Sequence, residues 1–332
     1  MDIEYLLWLQ KIRESTGGML DGFFELISDM VLNVAVYIVI AMIYWCVSKK
    51  VGIMFAMNIG VGNFVTQILK NTFCVYRPWI RDARIIPAGD AIETATGYSF
   101  PSGHTQVATS EFGSLAIWQK KSKGIVIFSA IMILLVMISR NYLGVHTPQD
   151  VIISFIITSA VICANLFILS WVDKGKNRDI IFFLAGMAVC IGAFLFNVLK
   201  AYPMDMGADG KPLVDSAEMI MEGGVGIGCA MGFLLGWFID RRFVRYEVPA
   251  TLKRKIWVFI VGAIVTVLTV FCVCDPIKDS METMGATLGC IGEALYFIIA
   301  FLMIMAIYPA FVKLTLNAID KKKTHDSYIN TK

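Results

Sequence analysis

Apolar runs of about 16 to 26 residues recur along this chain, set apart by charged residues, glycine and proline, and each is long enough to cross a hydrocarbon layer as a helix. Lipid offers backbone groups no partner outside the segment, so the pattern predicts helices and no open sheet. Nine spans are read, at 24–47, 51–69, 104–119, 124–140, 150–172, 180–200, 222–239, 256–274 and 286–311. Residues 3–13 mix Leu6, Leu7, Leu9 and Ile12 with charges, which predicts a short helix at the membrane interface ended by Thr16-Gly17-Gly18. The expected fold class is all-α, a polytopic transmembrane helical bundle of about nine spans.

Composition supports this. At 332 residues, 57% hydrophobic and 17% charged, with a mean hydropathy of +0.70, the chain buries its apolar surface in lipid rather than in one aqueous core. Most of the 29 Lys and Arg fall in one set of connecting segments: Lys49 and Lys50, Lys120 to Lys123, Lys174 to Arg178, Arg241 to Lys255, and the tail from Lys313. The positive-inside bias then puts the C-terminus in the cytosol and the N-terminus outside. The net charge of +3 repeats this loop bias and gives no reason to invoke nucleic acid. The eight cysteines lack ligand spacing for zinc or an iron-sulfur cluster and read as small apolar filler. No cleavable signal peptide is evident, since Asp2 and Glu4 stand where a basic start belongs, and the first span is expected to be the anchor.

Three polar clusters interrupt the apolar pattern: Lys70 with Arg77-Pro78, then Pro101-Ser102-Gly103-His104, then Ser139-Arg140 with His146 and Asp150. Each falls where a span meets the outer surface, so the three are expected to converge. Ser102 is placed to cap the third span, leaving free N–H groups and the positive end of the helix dipole toward an anion, and Gly103 lets that anion approach closely. Thr147-Pro148-Gln149-Asp150 reads as a capping-box-like start for the fifth span, which gives Asp150 a structural role; it also stands four residues from His146, close enough to hold the imidazole tautomer. Three fixed cations, two imidazoles and two helix starts are the equipment for phosphoryl transfer through a phosphohistidine.

In these three motifs the chain resembles the type 2 phosphatidic acid phosphatase superfamily, which includes lipid phosphate phosphatases, undecaprenyl diphosphatases and glucose-6-phosphatases, with soluble vanadium haloperoxidases as distant relatives. The resemblance covers residues 70–150. It implies that His146 is the nucleophile, that His104 is the general acid, that Asp150 orients His146, and that Lys70, Arg77, Ser102, Gly103 and Arg140 bind phosphate. No metal or other cofactor is required by that arrangement. The chain then divides into an interfacial segment (1–23), a phosphatase core (24–175), further transmembrane helices (176–315) and a cytosolic basic tail (316–332), a six-helix core with three additional C-terminal helices.

Other features carry two readings each. The long connection from Pro78 to Phe100 suggests a lid or recognition segment, with Trp79, Arg81, Arg84 and Tyr98 as substrate contacts or as interfacial anchors. Asn63 and Gln67 form a polar stripe that serves either hydrogen bonding between helices or the site. Gly224, Gly228, Gly232 and Gly236 give a smooth face for packing within the monomer or across a homodimer. Glu111, Glu25, Asp29, Glu222 and Glu293 are costly intramembrane acids that need a partner or a wet cavity, and His325 reads as a solvated bystander. A phosphorylated lipid is the expected substrate, because a site at the membrane surface accepts a headgroup whose tails stay in the bilayer. The alternatives are a sugar phosphate, a lipid phosphotransferase, and a non-enzymatic transporter or binding protein. The absence of an Asn-x-Ser/Thr sequon leans toward a bacterial plasma membrane.

Overall fold

The computed structural model describes residues 2–207 and 210–330, with side chains described as far as residue 322, so His325 and the end of the basic tail lie outside the described side chains. In chain order the helices are α1 (Asp2–Ser15), α2 (Asp21–Met30), α3 (Val34–Met42), α4 (Lys49–Phe73), α5 (Pro78–Arg81), α6 (Gly103–Trp118), α7 (Lys123–Tyr142), α8 (Pro148–Asp173), α9 (Arg178–Leu199), α10 (Ser216–Ile239), α11 (Leu252–Thr269), α12 (Asp275–Glu282), α13 (Ala286–Leu302) and α14 (Tyr308–Asn330). The protein is an all-α polytopic bundle, with no strand among the described residues.

Among the described residues eight helical segments are long and apolar enough to cross a membrane, against the nine predicted. The ninth is α6, which has 16 residues. It lies inside the bundle against α4, α7 and α8 and has no need of an apolar exterior. Its polar residues are used internally: Asn58 on α4 donates to Ser114 Oγ at 2.8 Å, and Ser110 Oγ donates to the Asn58 carbonyl at 3.1 Å. The span expected at 24–47 is split. Asn33 is extended and its side chain accepts from Ala35 N at 2.9 Å, which ends one helix and starts the next.

The C-terminal half is built on α10. A Cβ added at Gly224 or Gly228 would lie 2.2 Å from the Cys290 carbonyl oxygen or 2.5 Å from that of Ala294, and one at Gly232 would lie 2.9 Å from that of Phe297. These glycines therefore pack against α13 of the same molecule. On another side, a Cβ at Gly226 would lie 3.0 Å from the Asn63 carbonyl of α4, so α10 joins the two halves of the chain. At the end of the bundle reached by Lys49, the buried Asp240 pairs with Lys49 Nζ at 2.5 Å and accepts from Tyr246 N at 2.9 Å.

Candidate active site

The opposite end of the bundle brings the three sequence clusters together. Ser102 is extended and its side chain accepts from Thr105 N at 3.4 Å, starting α6. Thr147 and Asp150 form a reciprocal capping box that starts α8. The two starts are tied to one another: Ser102 N donates to the Asp150 carbonyl at 3.2 Å, and Ser154 Oγ donates to the Ser102 carbonyl at 2.7 Å. No atom lies within 4 Å of where a Gly103 Cβ would stand, so that face is open beside His104.

His146 is 1% exposed and sits in the short turn between α7 and α8. Its Nε2 is 2.9 Å from Arg77 Nη1. Because a guanidinium can only donate, Nε2 is the acceptor and the ring proton of the neutral imidazole resides on Nδ1. Nδ1 faces Asp150 Oδ2 at 3.5 Å and Ser99 Oγ at 3.4 Å, while Ser99 Oγ donates to the same carboxylate oxygen at 2.6 Å. Burial first, and the Arg77 charge next, push the imidazole down to about 3, against the opposing pull of Asp150. The ring is thus neutral with a lone pair on Nε2.

Arg77 is fixed by the loop around it, donating from Nε to the Gly97 carbonyl at 3.1 Å, from Nη2 to that of Thr96 at 2.6 Å and from Nη1 to that of Val145 at 3.1 Å. Trp79 lies beside it, with the guanidinium 5.8 Å from the ring centroid. Arg140 is fully buried and donates through Nη1 to Ser28 Oγ, while its Nε and Nη2 have no partner. His104 Nε2 is likewise buried without a partner. The charges of Arg140, Arg77 and Lys70 act on the His104 ring. Buried polar atoms without partners cost free energy unless a ligand satisfies them, and the Arg140 charge acts on the His146 ring.

Not every expected residue is here. Arg81 pairs with Asp2 at 2.7 Å, and Arg84 with Asp82 at 2.7 Å and Glu4 at 3.2 Å, so both serve to hold α1 against the loop and the structure does not bring them to His146. Tyr98 is fully buried in a cluster with Tyr202, Val214 and Met219 and is part of the packing. Only Trp79 of that group stays near the site. Asn63 bonds the Ile59 carbonyl of its own helix at 3.1 Å, which is neither of its two expected uses. Several site neighbours carried no readable signal: Ser99 and Ser28, the Thr96 and Gly97 carbonyls, and Asn141, whose Nδ2 donates to the His146 carbonyl at 2.9 Å. Glu222 was visible only as a costly acid; its charge acts on both Lys70 and Arg77.

Residues 51–177 match the PAP2 superfamily, and residues 225–319 match the PAP2 superfamily phosphatase transmembrane extension. The chain belongs to the PAP2 superfamily. A curated relative, a probable sphingosine-1-phosphate phosphatase of Dictyostelium discoideum, is 30% identical over 181 residues, covering 50% of this chain. The chain spans 42% of that relative's length. No solved structure matches. Within this PAP2 protein every motif residue lies in the first matched region, and α10 begins just before the second.

Proposed function

We propose that this integral-membrane protein is a phosphatase that hydrolyses a phosphorylated lipid through a phosphohistidine at His146, on the extracytoplasmic face of the membrane. One observation carries the reading: Nε2 of the neutral His146 ring accepts from Arg77, in a cluster where buried polar atoms of Arg140 and His104 lack partners, beside two helix N-termini. The name of the curated relative supports a lipid phosphate as the substrate class.

In the first step the Nε2 lone pair attacks phosphorus and the bond from phosphorus to the lipid oxygen breaks. That oxygen leaves with a proton from His104, which takes that proton up as the docked phosphate offsets the surrounding cations, while the Nδ1 proton of His146 stays toward Asp150 and Ser99. Lys70, Arg77 and Arg140, with the Ser102 hydroxyl and the Gly103 amide, hold the equatorial oxygens as charge spreads over them. One Arg77 N–H moves from Nε2 to a phosphate oxygen as phosphorus docks, a small shift because three loop carbonyls hold the guanidinium in place. In the second step His104 takes a proton from water, the resulting hydroxide attacks phosphorus, the P–N bond breaks, and inorganic phosphate leaves.

The test is phosphate release by the detergent-solubilised protein from lipid phosphates, polyprenyl diphosphates and hexose phosphates, alongside His146→Ala. The variant should fold and lose turnover by at least about the 10⁴-fold typical of a missing nucleophile. Retained turnover in the purified variant would remove His146 from its role, and release from hexose phosphates alone would remove the lipid.

A further inference from the structure

A mostly apolar cavity of ≈ 370 Å³ lies directly beneath the site, between α3, α4, α6, α10, α11 and α13. It begins about one helical turn from His104 and two from Lys70. Val107 on its wall is three residues past His104, and Val225 three past Glu222, about 4.5 Å of helix rise in each case. On α4 it starts at Asn63, about 10.5 Å below Lys70. From Tyr296 on α13 to Met305, just past the end of that helix, the cavity extends about 13.5 Å, a length close to that of one leaflet's hydrocarbon, about 15 Å. The wall includes exposed Leu32 and Val34, which stand where the first span breaks, so the cavity opens sideways to the bilayer.

We infer that this cavity holds one hydrocarbon chain of the substrate lipid while its phosphate lies against His146, and that the C-terminal extension, by supplying α10, α11 and α13 as walls, sets the chain length accepted. Three observations favour this occupant: continuity with Lys70 and His104 along α4 and α6, a length matching a single leaflet, and a lateral opening to lipid. A chain leaving the bilayer for this cavity exchanges one apolar surface for another, so the gain is small and the cavity acts by shape. A headgroup whose chain is threaded here is aimed at Nε2, and a chain too long for the space holds its phosphate away from it.

This inference rests on the phosphatase reading, so its test uses binding rather than turnover. Affinities of a non-hydrolysable long-chain alkyl phosphonate and of its short-chain counterpart are measured for the full-length protein and for Ala300→Trp and Val270→Trp, which fill the cavity from different helices. The ratio of long-chain to short-chain affinity should fall about tenfold in each folded variant, the size of an overpacking penalty. An unchanged ratio in both variants overturns the inference, as does native mass spectrometry showing a membrane phospholipid kept in the presence of the long-chain phosphonate. If the ratio collapses but the unmodified protein hydrolyses no phosphate ester, the cavity assignment stands and the catalytic reading fails. Should one variant not fold, the other decides, and chain-length dependence in the unmodified protein gives a third readout: affinity should rise with chain length and then drop, where a continuous rise would contradict a closed end.

Discussion

At the scale of single residues, the decisive pair is His146 and Arg77. A histidine four residues before an aspartate suggests an acid-oriented imidazole, and the capping box explains why Asp150 stands there in any case. The carboxylate reaches Nδ1 at only 3.5 Å, beyond a good hydrogen bond, and Ser99 closes the gap by contacting both. Because burial and Arg77 hold the His146 imidazole near 3, below the ordinary value of about 6.5, the ring stays neutral across the physiological range. The unfolded chain takes up a proton that this buried ring refuses. Its contribution to stability is therefore complete above about pH 6.5 and is lost progressively as pH falls from there toward 3. Isotope-edited spectra of the labelled histidine should show no titration between about pH 5 and 8. Arg77→Gln removes a neighbouring positive charge and should move the midpoint up; a normal midpoint in the unmodified protein would contradict the geometry.

At the scale of elements, helix starts do most of the positioning. Ser102 and Thr147 each begin a helix with a side-chain cap, and the bonds between the two starts set how the amide of Gly103 and the ring of His146 face one another. These caps were readable because capping chemistry is local in sequence. What α6 does in the bundle was not, since the polar Ser110 and Ser114 resemble a weak span until their partner Asn58 on α4 is known. The glycine seam of α10 had two readings, and contact distances to α13 select packing inside the monomer. Gly228→Leu places a side chain where the Ala294 backbone lies and should destabilise the protein by about 1 to 3 kcal/mol or more. Loss of monodispersity or a lower unfolding temperature in detergent would show it, and an unaffected variant would mean that the two helices are free to separate.

At the scale of the whole molecule, the two matched regions meet at α10, which packs on α4 of the first and α13 of the second. The outer segments then close over the site. The loop after α5 binds Arg77, α1 holds that loop through Arg81 and Arg84, and Tyr76 OH donates to Asp205 at 2.7 Å across from the segment before α10. The sidedness proposed for the site rests on the distribution of Lys and Arg, and it belongs to the molecule as a whole because every span shares it. Single cysteines at Asp90 and Lys121, in a background lacking the native cysteines, should react with a membrane-impermeant maleimide from opposite faces, Asp90 from outside in intact cells and Lys121 only after permeabilisation. The reverse pattern would place the site toward the cytosol.

The sequence by itself determined the helical, membrane-embedded class, because lipid permits few alternatives to long apolar helices, and it marked the two capped helix starts at Ser102 and Thr147, because capping restricts residue type and spacing. Only the tertiary structure decided which charges point inward. Arg140 and Arg81 are the same residue type near helix ends, yet one is fully buried with donors free and the other is spent on Asp2. The physical reason is that a side chain's partner is set by the element packed against it, and residues as distant in sequence as Arg140 and Ser28, or Asn63 and Gly226, meet only once the helices have closed on one another.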